Sequence, residues 1–360
     1  MKIGILTFHD AINYGAVLQA QALCSTVGGF DNVECEIINY ECKNIEEMYR
    51  TKSGNVLVQK IKSLYQKIKR NAFKKYLRNN SLLSVRVFRQ TIKKFALKYD
   101  AVIVGSDQVW NRGITGGDPS FLLDFCDEKT IKASYAASFG NFEVTEKDVQ
   151  NYQCLAKFNG LSVREPKGQK IIKNIIGREA EIHIDPTFLK DQTYWRQCAK
   201  APKYTRKYIF IYAMGNTTRI QKAAKMLHEK TGYDIYYMGD FKLKEGKKLS
   251  YVTPAEWLGL FDRAEMILTN SFHGTAFSII FRKNFFVDLG KIGNAIHNDR
   301  AANLLKLFGL ENQVIENVGI LYNRTPDWKC LEERITIQKE NALSYLHCIL
   351  KNKEEKNASC

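Results

Sequence analysis

Short unbroken apolar runs alternate along the chain with longer stretches in which apolar residues recur every three or four positions. These are the signatures of buried strands and amphipathic helices. The first 40 residues hold both. KIGILTF (2–8) reads as a strand, HDAINYG (9–15) as a turn, AVLQAQAL (16–23) as a helix stopped at Gly28-Gly29, and VECEIINY (33–40) as a second strand. Strand, helix and strand in that order make one βαβ unit and predict a parallel sheet.

The rhythm resumes further on with DAVIVGS (100–106), IKASYAAS (131–138), GLSVRE (160–165) and EIHIDP (181–186), each an apolar run ending in a small or polar residue. The second half repeats it. KYIFIYAMG is a strand, TRIQKAAKMLHEKTG a helix stopped by Gly232, and YDIYYMG a strand. TPAEWLGLFDRA opens with a capping box, with Thr253 as N-cap, Pro254 at N1 and Glu256 at N3. MILTN, SFHGTAFSIIF and NFFVDL follow as strand, helix and strand, and ERITIQKENALSYLHCILKNK closes the chain as an amphipathic helix. The fold class predicted is α/β, with two Rossmann-like domains and the active site in the cleft between them. Residues 1–198 form the first, a basic stretch around Pro202 the linker, 203–330 the second, and 331–360 a helix packing back on the first. A length of 360 residues suits two cores better than one.

Residues 48–98 break the pattern. They carry ten Lys and five Arg and no Asp or Glu, which is nearly all of the chain's net charge of +16. VLVQKIKSLYQKIKRNAFKKYL (56–77) places Val56, Ile61, Leu64, Ile68 and Phe73 roughly on one face, with Lys and Arg around the other. The segment reads as a basic amphipathic helix inserted in the first domain. Its charged side is either a solvated face or, over 52–78, a peripheral contact for anionic lipid or a pyrophosphate-linked substrate. The block has few aromatics, which argues against nucleic acid as a partner.

Composition narrows the class. Hydrophobic residues at 45% and charged residues at 26% describe a folded globular chain. Met1 leads directly into a strand, and no secretory signal or spanning segment is evident, so the expected location is cytoplasmic. Nine cysteines, none in a CxxC pair, read as reduced thiols. Histidines are sparse and show no HxxxH or HExxH spacing, so no metal site is predicted.

Candidate chemistry lies at the strand ends. Asn13 and Gly15 sit in the first strand-to-helix turn, where an amide and a missing side chain suit a ligand, although a plain tight turn explains them equally. No GxGxxG is present, so a dinucleotide cofactor is not predicted. In VGSDQVWN (104–111), Asp107 is a candidate general base, and Trp110 and Asn111 suit a sugar ring and its hydroxyls. The competing account makes Ser106 or Asp107 a helix cap. Arg164, ending SVRE, can fork onto phosphate or carboxylate, or serve an internal salt bridge. His183 lies inside an apolar run and reads as a satisfied core histidine.

TNSFHGTAFS (269–278) is the strongest signal. Here a strand runs into His273-Gly274-Thr275 in the first turn of a helix, where free N–H groups and the macrodipole favour an anion. His273 adds a donor that can deliver a proton, and Gly274 leaves room for a phosphate.

Taken in order, NYGAVLQA, AVIVGSDQVWN, SYAASFG, SVRE, IDPTF and TNSFHGTAFS resemble the polysaccharide pyruvyl transferase family, from about residue 3 to about residue 310. The resemblance implies a glycosyltransferase-B-like arrangement, phosphoenolpyruvate as donor, and a pair of sugar hydroxyls as acceptor, on a carrier that can be lipid-pyrophosphate-linked. With that donor and acceptor, His273 is the expected acid and Asp107 the expected base; Arg164, Gly274, Thr275, Asn13 and Gly15 are expected to hold the donor, and Trp110 and Asn111 to meet the acceptor. Many relatives carry Arg-Leu-His where this chain has Ser271-Phe272-His273, and Arg300 is the candidate replacement for the missing cation. Such chemistry needs no metal or redox cofactor. The alternative on the same fold is a glycosyltransferase taking a nucleotide-sugar donor.

Overall fold

In the computed structural model, which describes residues 1–48, 56–80, 82–292, 295–296 and 298–357, the chain divides into two compact units. One is Met1–Leu189 with Gln338–Cys360, the other Lys190–Ile337.

The first unit is built on strands β1 (Lys2–Leu6), β2 (Glu34–Tyr40), β3 (Leu83–Val87), β4 (Ala101–Val104) and β5 (Ile131–Ser134). They are all parallel, in the order β3-β2-β1-β4-β5. Bridges from Ala133 to Gly160 and from Ala137 to Val163 carry the sheet on to a short parallel pair, β6 (Ser162–Val163) and β7 (Glu181–Ile182). Helix α1 (Tyr14–Val27) is apolar almost all round, and it is buried at every residue except Ser25. Helix α2 (Val56–Asn79) lies in the basic stretch, and α3 (Pro166–Ile176) starts on a proline and stops at Gly177, whose φ of 68° is left-handed.

The second unit repeats the plan with β8 (Tyr208–Tyr212), β9 (Asp234–Met238), β10 (Gly246–Lys248), β11 (Met266–Thr269) and β12 (Asn284–Val287). Its parallel order is β10-β9-β8-β11-β12. Helices α4 (Thr218–Thr231), α5 (Pro254–Arg263), α6 (Phe272–Ile280) and α7 (Asp299–Phe308) connect and cover the strands. The capping box opening α5 is present in both directions, and Gly232 ends α4 with φ 68°. Every residue of α6 is buried, so its position is fixed by packing on all sides. Helix α8 (Trp328–Asn357) is counted with the first unit from Gln338 on. There Tyr345 donates its hydroxyl to Ser134 O at 2.7 Å, and His347 stacks on Phe30.

Three boundaries differ from those read in the sequence. The basic stretch is not wholly an insert, because β3 lies within it and completes the edge of the first sheet. Its LSVRV buries only Ser84 and Val87 securely, and an edge strand carrying Arg86 gives no continuous apolar run. The apolar residues of α2 do not share one buried face either. Phe73 and Leu77 are buried, whereas Ile61, Leu64 and Ile68 are exposed. Residues 49–55, where the predicted segment begins, and the side chain of Val56 lie outside the described residues. Finally, the division falls at Leu189 rather than near Pro202. The helix Gln192–Cys198 joins the second unit because Trp195 packs edge-on against Phe277, 5.0 Å between ring centres.

Candidate functional site

A doubly wound sheet opens a crevice at the carboxyl ends of the two strands between which its winding reverses. In the first sheet these are β1 and β4, and in the second β8 and β11. Both places are densely polar.

In the first unit β1 runs into Thr7-Phe8-His9-Asp10. Thr7 Oγ1 donates to Ser106 O at 3.0 Å, tying the end of β1 to that of β4. His9 is buried with Nδ1 3.1 Å from Thr7 O and Nε2 3.2 Å from Asn39 Oδ1. Burial pushes its pKa down, against the pull of Asp10. Burial would raise Asp10, but hydrogen bonds and charge from Arg70, with His9 and Lys74 close by, hold it below the usual carboxylate range.

Past β4, Gly105 has φ 109°, and a Cβ there would overlap Tyr135 O. Asp107 follows with φ 69°, and its Oδ1 accepts the Gln108 N–H at 2.9 Å. Arg164 comes up beside it, and its side chain is 3% exposed. Its Nη1 donates to Asp185 Oδ2 at 3.0 Å, and its other nitrogens lie 3.6 Å from Asp107 Oδ1 and Glu165 Oε2. Burial works to lower the Arg164 pKa, but these three carboxylates raise it above the ordinary value. Asp185 also accepts from Ser106 Oγ, Thr187 N and Thr187 Oγ1. Arg164 is therefore the cation of an internal ion-pair cluster, the salt-bridge alternative of the two uses its place in SVRE allows. Its buried charge faces three carboxylates.

Other expectations also change. Trp110 is 1% exposed, packs on Phe139 and donates Nε1–H to Phe121 O, so it is a core residue and no sugar platform. Neither Ser106 nor Asp107 caps a helix. Asn111 does, accepting Gly113 N–H at 3.0 Å at the head of Arg112–Thr115. Asn13 caps α1 by accepting from Ala16 N, and Gly15 lies inside that helix, buried, rather than in a turn. His183 is buried as read, hydrogen-bonded to Ser162 Oγ at 2.9 Å and sandwiched by Tyr135 and Tyr345.

In the second unit the switch point lies between Met214 and Asn270. Asn270 accepts Met214 N–H at 2.9 Å and donates to Met214 O at 2.6 Å, clamping the two strand ends together. Ser271 caps α6 by accepting Gly274 N–H. His273 occupies the second position of that helix and is 6% exposed. The absent Cβ of Gly274 serves packing: it would overlap Thr269 Oγ1 and lie 3.0 Å from Thr269 Cβ. Thr275 is fully buried and donates its hydroxyl to Ser271 O at 3.0 Å, so its donor-binding reading is replaced by a helix-internal bond. Arg300, in the first turn of α7, places its guanidinium carbon 6.0 Å from the centre of the Phe272 ring. Asn298, the cap of α7, donates to Asn270 O at 2.8 Å and ties α7 to the same mouth.

Two groups here escaped the sequence reading. Arg219, in the first turn of α4, pairs with Asp288 and with Glu316. Asp288 follows β12 and also accepts Gly290 N–H. A polar residue directly after each apolar run was the available signal, for Asp288 in NFFVDL as for Asp10 in KIGILTFHD.

Two parallel sheets, each with its polar cluster at the winding reversal, define an α/β protein of the two-Rossmann-unit kind. Solved structures share this fold. A putative UDP-N-acetylglucosamine 2-epimerase from Listeria monocytogenes superposes with a TM-score of 0.56 at 9% identity, covering 98% of this chain and 97% of its own. The UDP-GlcNAc 2-epimerase from Neisseria meningitidis, bound to UDP-GlcNAc, gives 0.54 at 9% identity, covering 96% and 99%. At such identities the likeness shows the fold alone. The polysaccharide pyruvyl transferase family model matches residues 13–287, from the cap of α1 to the end of β12, and the chain belongs to that family. A comparison with curated proteins gives no match.

Proposed function

We propose that the protein transfers the pyruvyl group of phosphoenolpyruvate to two hydroxyls of one sugar, closing a cyclic ketal on a surface-polysaccharide precursor. The observation that carries this reading is His273 in the first turn of α6, at the winding reversal of the second sheet, with Arg300 over the ring of the adjoining Phe272. The family to which the chain belongs supports the class of reaction.

A helix N-terminus, a cation and an imidazole together suit a phosphate and a carboxylate on one small molecule. In the proposed reaction His273 gives a proton to the methylene carbon of phosphoenolpyruvate, and the neighbouring carbon becomes cation-like. One sugar hydroxyl adds to it and passes its proton to a base. The carbon–oxygen bond to phosphate then breaks, with the electron pair leaving on phosphate. The second hydroxyl adds to the same carbon and its proton leaves, completing the ketal. Of the two hydroxyl protons, one replaces the proton given by His273 and the other leaves with phosphate. Asp107 remains the proposed base. Arg300 takes the place that the resemblance assigns to an Arg at 271. No step calls for a metal or a redox cofactor.

Thermal-shift measurement with phosphoenolpyruvate and with a panel of nucleotide sugars tests the reading, alongside phosphate release from phosphoenolpyruvate in the presence of glycan acceptors. Stabilisation by phosphoenolpyruvate, and phosphate release that His273→Ala abolishes, are expected. Stabilisation by a nucleotide sugar alone would overturn it in favour of a glycosyltransferase.

A further inference from the structure

Helix α2 has two faces of different character. Arg70, Phe73 and Leu77 come nine residues after Ile61, Leu64 and Ile68. At about 100° per residue, that sets the two groups half a turn apart. The first group holds the helix to its unit. Phe73 and Leu77 are fully buried, which contributes about 2 kcal/mol each. Phe73 packs on Tyr14, while Arg70 Nε donates to Asp10 Oδ1 at 2.8 Å and Lys74 reaches Asp10 and Glu41. The other face points to solvent. Ile61, Leu64 and Ile68 are 62%, 60% and 49% exposed, and Tyr65, on the same face, is 39% exposed. Their spacing of three, four and seven residues is that of one continuous helical stripe.

A water-facing helix surface normally carries charge of both signs, and a stripe of three branched aliphatics there is unfavourable. Residues 56–79 contain no Asp or Glu at all, and Lys60, Lys67, Lys75 and Arg78 are exposed around the stripe. The cations of the docked face are spent on Asp10, Glu41 and Glu46, whereas these are not needed to hold the helix. Large apolar side chains flanked by cations and by no carboxylate of the helix match the boundary of an anionic bilayer, where the side chains enter the acyl region and the cations meet lipid phosphates.

We propose that the Ile61–Ile68 face of α2 is a docking surface for an anionic membrane. Among the described residues no helix is long and apolar enough to cross a bilayer, so the contact is peripheral. The inference rests on α2 alone and stands whether or not the pyruvyl-transfer reading holds.

Flotation of the full-length protein with vesicles tests it. One set contains phosphatidylcholine alone, the other about 30% phosphatidylglycerol. The protein should float with the anionic vesicles at low salt and be released at high salt. Ile61→Ser, Leu64→Ser and Ile68→Ser together should weaken binding at least about tenfold, and Lys60→Glu with Lys67→Glu likewise. Because all five positions are exposed, both variants should melt with the wild type. No flotation of the folded wild type, equal flotation with neutral vesicles, or undiminished binding by both variants would overturn the proposal. So would a stable dimer that the triple variant converts to monomer, since the stripe would then be a subunit interface.

Discussion

Arg164 and Asp185 meet at 3.0 Å with side chains 3% and 0% exposed, at the carboxyl ends of β6 and β7. With Asp107 and Glu165 also beside it, one guanidinium sits among three carboxylates. Truncating one partner of such a cluster leaves the others buried and unmatched, which costs more than the pair contributes. Arg164→Gln should therefore destabilise the first unit by about 3–5 kcal/mol or prevent soluble folding. A denaturant titration checks this. A ligand-binding arginine would instead give a fully stable, weakly binding variant, and that outcome would restore the reading made from SVRE.

Gly274 is held against Thr269, whose hydroxyl both donates to Tyr212 O at 2.6 Å and accepts Ser271 N–H at 3.0 Å. Adding a methyl at 274 pushes the head of α6 away from β11. Gly274→Ala should cost about 1–3 kcal/mol and displace the helix mouth. Shortening the facing residue in Gly274→Ala/Thr269→Ala should recover part of the thermal stability, although the two hydroxyl bonds are lost. A single variant that melts with the wild type would show that the two elements have slack.

The strands were legible because each central one is an unbroken apolar run: all of Ala101–Val104 and Met266–Thr269 is buried. β3 and β10 were not, since edge strands such as LSVRV and GKK are half-solvated and carry Arg or Lys. The mouth at His273 was legible because strand end, cap and helix are contiguous in sequence. The cluster around Arg164 was not, because its strongest partner is 21 residues away and lies behind His183 and Pro186, which drew the reading instead. The burial of Trp110 was also hidden: GSDQVWN does not say which side of the chain its ring takes, and Phe139 and Phe158 settle it.

Burial pushes the pKa of His183 down to about 4, so the folded protein favours the neutral ring. Ser162 Oγ, Glu181 at 3.5 Å and the rings of Tyr135 and Tyr345 surround it. Between about 4 and the unfolded value near 6.5 the unfolded chain binds more protons, so stability rises with pH. The contribution is fully present above about 6.5 and is lost as pH falls toward 4, by on the order of 2 kcal/mol. His183→Gln should flatten this part of the stability–pH curve measured by urea denaturation at several pH values. An unchanged slope would place the acid sensitivity elsewhere.

In the proposed reaction Arg300 and His273 have different tasks, so their variants should separate kinetically. His273→Ala removes the proposed proton donor and should lower kcat about 100-fold or more. Arg300→Ala keeps the proposed acid but removes the charge proposed to meet phosphoenolpyruvate in ground and transition states alike. It should raise KM about tenfold and leave kcat nearly unchanged. Ser271→Ala should do neither, costing about 1 kcal/mol of stability through the lost cap. Ser271→Arg built on Arg300→Ala puts a cation at the head of α6, the position the family resemblance assigns to an arginine, and should bring KM back toward the wild-type value. Steady-state phosphate release across the five proteins checks the set. A drop in kcat for Arg300→Ala equal to that for His273→Ala would show that the arginine acts on the transition state itself.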